Sequence, residues 1–153
     1  MTTVLLVDAL LLANVVSQAL WVGGLFGYVL IVWPAIVRDA DGAFPRALLA
    51  QIAMRTAPWI YLAMGSTLAS FLLLWAMQAL TVPTGGLILY GTTMGLLVAN
   101  NVYGTVTAWP RIMMLPQTQA RQEWYRFRLR MAAALVLGLA TYSAAIVYLL
   151  QRD

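Results

Sequence analysis

Four long apolar stretches, separated by polar or turn-forming segments, set the pattern of this chain. A helix needs about 20 apolar residues to cross a bilayer. The first stretch covers residues 10–33, with 4–9 as an apolar extension, and ends at Pro34 and the polar run Arg38-Asp39-Ala40-Asp41-Gly42. The second covers 58–80, and Pro58 suits a first helical turn because it has no N–H to leave unpaired. Between them, residues 45–56 set Arg46 and Arg55 among Leu48, Leu49, Ile52 and Met54. That pattern reads as a short amphipathic helix at the membrane surface or as an extension of the second span.

Residues 81–86 are a turn by composition, and the third span covers 87–109, stopping at Pro110. A polar connection with Pro110 and Pro116 follows. Its second half, 121–130, runs into the fourth span at 131–150. No strand pattern or soluble domain is left over. The expected fold is all-α: one integral membrane four-helix bundle filling residues 1–153.

Composition sharpens this picture. Hydrophobic residues make up 63% and charged ones 9%, against about half and about a quarter in soluble domains, so a water-soluble fold is excluded. There is no Cys and no His, which removes disulfides, thiolate sites, the usual haem and zinc ligand and the commonest general base. No cofactor is expected. No basic segment precedes residues 4–12, so the opening helix reads as a retained span and not a cleavable signal.

The net charge of +4 rests on nine arginines. Without a solvated basic face interleaved with aromatics, this charge points to membrane topology and not to nucleic acid. Arg38, Arg46 and Arg55 lie between spans one and two. Arg111, Arg121, Arg126, Arg128 and Arg130 lie between three and four, and only Arg152 lies elsewhere. The positive-inside rule then places both termini outside, with a bacterial inner membrane as the expected location. Trp33, Trp59, Trp75, Trp109 and Trp124 fall near span ends, as an aromatic belt requires, while Trp21 lies deep.

Small residues matter in lipid because they let helix backbones approach. Ala19, Gly23 and Gly27 recur every fourth residue, beside Gly24. Gly91, Gly95 and Ala99 do the same in span three, and Ala134 and Gly138 in span four. The expected role is packing inside the bundle, with an oligomer face as the alternative. On the first reading Gly23→Leu disrupts helix contact far more than Leu25→Ala.

Intramembrane polar groups are the second signal. Asn14, Ser17 and Gln18 share one face of span one, and Ser66, Thr67 and Ser70 one face of span two. Span three offers Thr92, Thr93, Asn100, Asn101, Tyr103, Thr105 and Thr107, and span four Thr141, Tyr142 and Ser143. Interhelical hydrogen bonding is the expected role, each bond contributing about 0.6–2 kcal/mol. Asn14 and Asn100 differ by roughly 15 Å in depth at 1.5 Å per residue. They are too far apart to bond directly; the alternative to structural hydrogen bonding is a polar path or ligand pocket, with the two as ends of one polar seam containing Gln18, Asn101 and Tyr103.

No carboxylate falls near a span centre, against the habit of proton-coupled transporters. The eight Met residues read as apolar filling, although thioethers also bind Cu(I). Arg121, Arg126, Arg128 and Arg130 form a cluster suited to anionic lipid or a docking partner.

Asn14 is followed by Val-Val-Ser-Gln-Ala-Leu, Trp21-Val22-Gly23-Gly24 and later Pro34. The third span carries Asn101-Val102-Tyr103 and then Trp109-Pro110. This pattern resembles the copper-resistance protein D-like superfamily of four-helix bacterial membrane modules, to which urate-oxidase-type membrane domains are related. The resemblance implies a four-helix module with metal or haem chemistry at a His in the first span. Asn14 stands at that His position here, and an amide is a poor ligand for haem iron or copper.

The functional expectation is a non-enzymatic accessory or assembly subunit of a larger membrane complex, in contact with lipid and other membrane subunits. The alternative is a small copper-handling or transport module using amides and thioethers. A membrane enzyme would need a borrowed cofactor or a site shared with a partner.

Overall fold

A computed structural model of the chain describes residues 2–34, 45–80 and 84–150. These form four helices, with no strand among the described residues. Helix α1 is Thr2–Phe26 and runs on through a π-helical segment, Gly27–Val32. Helix α2 is Arg46–Ala76. Helix α3, Thr84–Tyr103, continues through a second π segment, Gly104–Ala108, and a short helix, Trp109–Met114. Helix α4 is Gln117–Leu150.

Three stretches are long and apolar enough to cross a membrane: Thr3–Val32, Arg46–Ala76 and Gln117–Val147. The third expected span is the exception. Thr92, Thr93, Asn100 and Asn101 dilute its apolar content.

Several boundaries differ from the sequence pattern. Residues 45–56 extend the second span, so Pro58 lies well inside α2 and not in its first turn. The polar connection before the fourth span is helical from Gln117 onward. The break shrinks to Leu115 and Pro116, with Leu115 extended as a residue before proline prefers. Gly85 and Gly86 belong to α3, while the expected loop at 38–42 lies outside the described residues.

The two π segments share one local cause. Each leads into a Trp-Pro pair: Trp33-Pro34 and Trp109-Pro110. A proline ring collides with the carbonyl four residues back and offers no N–H. Widening the turn moves the bonding register, so Trp33 N–H donates to Tyr28 O and Trp109 N–H to Gly104 O, five residues back. In α3 the helix therefore continues past Pro110, which would otherwise end it, as far as Met114.

α1 is the central element. Among its buried positions, Val7, Leu11, Asn14, Gln18, Trp21 and Leu25 alternate by four and three, with Val22 buried beside them, the spacing that keeps one seam facing a partner helix. Beyond Leu25 the step becomes four and four, to Val29 and Trp33, as the extra residue of the π turn requires. α1 packs mainly on α2 and then on α4, and α3 packs on α4. Side chains bridge α2 and α3, as in the Phe71–Tyr90 ring pair at 5.1 Å.

Every described arginine lies toward one end of the bundle, where Arg46 Nη2, in the first turn of α2, donates to Leu115 O in the break before α4. Trp124, 1% exposed, organises that end. Its ring meets Trp33 at 4.9 Å, Trp109 at 5.4 Å, Phe127 at 5.5 Å and Tyr28 at 6.2 Å. The aromatic-belt expectation is thus corrected for Trp33 and Trp124, which are buried core. Trp59 and Trp75, at 72% and 59% exposed, do face outward.

The small-residue expectation also divides. Gly138 lets α1 approach α4: a Cβ there would stand 3.1 Å from Val22 Cγ2. Gly24 faces Ile60 at 3.7 Å and Gly91 faces Phe71 at 3.9 Å. Gly104, which the spacing argument does not single out, holds the Phe127 ring 3.2 Å from a Cβ position. Gly23, Gly27 and Gly95 have nothing within 4 Å. Gly23, Gly95 and Ala99 are exposed while Ala19 and Gly27 are half-buried, so this set lies off the fully buried seams of α1 and α3. Within one chain, this geometry predicts a larger effect for Leu25→Ala than for Gly23→Leu.

Candidate functional site

The polar groups of α1 are placed by the same three-four alternation that builds its core seam. Asn14 and Gln18 sit on that seam, so both are buried between helices. Asn14 Nδ2 donates to Thr67 O at 2.9 Å and to Ser70 Oγ at 3.0 Å on α2. Ser70 Oγ in turn donates to Ser66 O at 2.7 Å. From α3, the Tyr90 hydroxyl lies 3.1 Å from both Asn14 Oδ1 and Gln18 Oε1. One proton serves one of these oxygens at a time.

This cluster ties α1, α2 and α3 together. Asn14 is its hub, and Tyr90 is the member that the sequence pattern of amides and small hydroxyls does not single out. A tyrosine near a helix start reads as an interfacial anchor, and only the helix arrangement turns it inward. Gln18 is 0% exposed, and its Nε2 has no partner among the described residues; Trp21 Nε1 is in the same position one turn further on. An unsatisfied buried donor costs about 1–3 kcal/mol.

Beside the cluster lies a cavity of about 340 Å³, lined by all four helices, a volume near the lower end for small-molecule pockets. Asn14, Tyr90, Thr93 and Thr141 supply its polar wall, and leucines, alanines and Phe71 most of the rest. A second cavity of about 110 Å³ lies toward the arginine-rich end, between Tyr28, Ile60, Asn101 and Phe127 among others.

The inner polar residues form a separate group. Asn101 Nδ2 contacts Met64 Sδ at 3.9 Å, and Thr105 Oγ1 donates to Asn101 O at 3.0 Å within the widened turn. Arg130 reaches Asn100 Oδ1 at 3.4 Å, and its guanidinium lies 4.3 Å from the ring centre of the half-exposed Tyr103. Buried Met94 and Leu97 separate Tyr90 from Asn101 along α3. A continuous polar seam from Asn14 to Asn100 is therefore not formed among the described residues.

The arginine cluster is partly engaged inside the chain. Arg126 pairs with Glu123 at 2.9 Å and Arg128 lies 5.5 Å over Trp33, while Arg121 is exposed. Among the described residues, no group of three or more His, Cys, Asp or Glu gathers to hold a metal. The buried thioethers Met64, Met94 and Met131 join one core cluster from α2, α3 and α4. The chain matches no protein-family model, no curated protein and no solved structure.

Proposed function

We propose that this chain is a non-enzymatic accessory or assembly subunit of a larger complex in the bacterial inner membrane. In this reading it crosses the bilayer four times, with the arginine-rich end in the cytoplasm and both termini outside. The carrying observation is the open space beside Gly23, Gly27 and Gly95. A glycine inside a helix costs about 1 kcal/mol relative to Ala, and a lipid-facing surface gives nothing in return. A flat helix face does allow close approach of a neighbouring helix, where van der Waals contact drives association. Ala19, Gly23 and Gly27 on α1, and Gly95 and Ala99 on α3, offer two such faces.

Affinity purification of the tagged chain from its native membrane in mild detergent tests this. The expected result is co-purifying membrane subunits that are lost in Gly23→Leu or Gly95→Leu while the chain keeps its thermal stability. A monodisperse chain recovered alone would sink the proposal.

A second reading, copper handling, draws on the meeting of Met64, Met94 and Met131 in one core cluster and on the resemblance to the copper-resistance protein D-like superfamily. Thioethers suit Cu(I). Stoichiometric Cu(I) binding that is lost in Met94→Leu supports it, and no binding rejects it.

A further inference from the structure

We infer that the cavity of about 340 Å³ is a binding site for an uncharged lipophilic molecule carrying a hydroxyl donor, a small phenol or alcohol. The inference is independent of the subunit reading, since it rests on the interior and not on the outward faces.

The chemistry follows from where each polar hydrogen in the cavity wall already goes. Thr141 Oγ1 donates to Leu137 O at 2.7 Å and Thr93 Oγ1 to Tyr90 O at 2.9 Å, both on their own helices. Both hydrogens of the Asn14 amide nitrogen are engaged by Thr67 O and Ser70 Oγ. The Tyr90 hydroxyl hydrogen goes to Asn14 Oδ1 or Gln18 Oε1. What the wall presents is therefore lone pairs: two threonine hydroxyl oxygens, the Tyr90 oxygen and the Asn14 carbonyl oxygen. A ligand that only accepts hydrogen bonds finds no donor here, whereas a hydroxyl finds several acceptors.

Gln18 sharpens the choice. Its side chain is fully buried and does not line the cavity, so no ligand donor reaches its Oε1, and Tyr90 is the donor placed to satisfy it. The Asn14 oxygen is then left, with the Thr141 hydroxyl oxygen, to accept from a ligand hydroxyl. Gln18 Nε2, the unengaged donor of the cluster, lies outside the cavity wall. No charged residue lines the cavity. An ion would lose its hydration without compensation, which restricts the occupant to neutral molecules. The apolar remainder of the wall accepts a ring or short alkyl body.

The test uses para-ethylphenol and its methyl ether, para-ethylanisole, which share a body and differ in the donor. Thermal unfolding of the full chain in lipid nanodiscs is followed against the concentration of each. Ala145→Leu, which fills the cavity, serves as the control for partition into lipid, with Ala144→Leu as a second filling variant should the first fail to fold. The expected result is a saturable rise in Tm with the phenol at concentrations at least tenfold lower than with the ether, absent in the filled variant. Thr141→Val should weaken the phenol several-fold and leave the ether unchanged. Equal response to the two compounds overturns the inference and fits a lipid tail as occupant. So does a saturable response that survives filling, or a Thr141→Val effect equal for both.

Discussion

At the scale of single residues, what decides a side chain's role here is which face of its helix it occupies, not its type. Leu25 and Gly23 are neighbours on α1, yet Leu25 is 4% exposed while Gly23 has nothing within 4 Å. Leu25→Ala opens a cavity in the central core. In lipid the transfer part of the usual 2–5 kcal/mol is reduced, because acyl chains solvate leucine as the core does, so a loss of about 1–3 kcal/mol is expected. Gly23→Leu should change the stability of the isolated chain by less than about 0.5 kcal/mol. Reversible unfolding in mixed micelles measures both, and a larger loss for Gly23→Leu would mean that α1 packs through its other face. Gly23 and Gly138 look alike in sequence. Only Gly138 meets a side chain, at 3.1 Å from a Cβ position, and no spacing rule within one helix reports what stands opposite it.

At the scale of elements, the helix ends show how local chemistry shapes a span. α2 closes in a Schellman motif: Ala79 N–H donates to Leu74 O at 3.0 Å and Gln78 N–H to Trp75 O at 2.9 Å. Ala79 and Leu74 also share an apolar cluster with Val7 and Leu11. The turn requires a left-handed residue, and Gln78 supplies it at φ 50°. Glycine adopts that conformation without the Cβ clash, which costs an L-residue roughly 1–2 kcal/mol. After its greater loss of chain entropy, Gln78→Gly should stabilise the folded chain by about 0.5–1 kcal/mol. A fall in Tm would count against the motif. The helical content was legible in the apolar runs, since each was long enough to demand it. The continuity of α2 through Pro58 and of α3 past Pro110 was not legible, because proline marks a boundary in sequence, and only the folded chain shows that the helix runs through it, in α3 by way of a widened turn.

At the scale of the whole molecule, charge placement and helix order are the governing features. Arg46, Arg55, Arg111, Arg121, Arg126, Arg128 and Arg130 share one end of the bundle, and the proposed topology sets that end in the cytoplasm by the positive-inside rule. With no native cysteine, single reporters are clean. Met77→Cys should react with a membrane-impermeant maleimide in cells with a permeabilised outer membrane, and Gln119→Cys only after the inner membrane is opened. The reverse pattern would invert the proposed topology. The candidate site belongs to this scale too. Asn14 and Gln18 were visible as intramembrane amides, but their partners Thr67, Ser70 and Tyr90 lie 53 to 76 residues away in the chain, and the cavity takes its wall from all four helices.

By itself the sequence determined that the chain is helical, apolar beyond the range of soluble proteins and charged toward one end, because these properties add along the chain and need no knowledge of neighbours. The tertiary structure alone decided that Trp33 and Trp124 are core, that Tyr90 closes a polar cluster, and that Gly23 faces outward while Gly138 faces in. Such properties depend on the rotation of each helix about its axis. Rotation is set by the sum of contacts with other helices, and in a chain apolar on nearly every face the hydropathy pattern carries almost no signal of it.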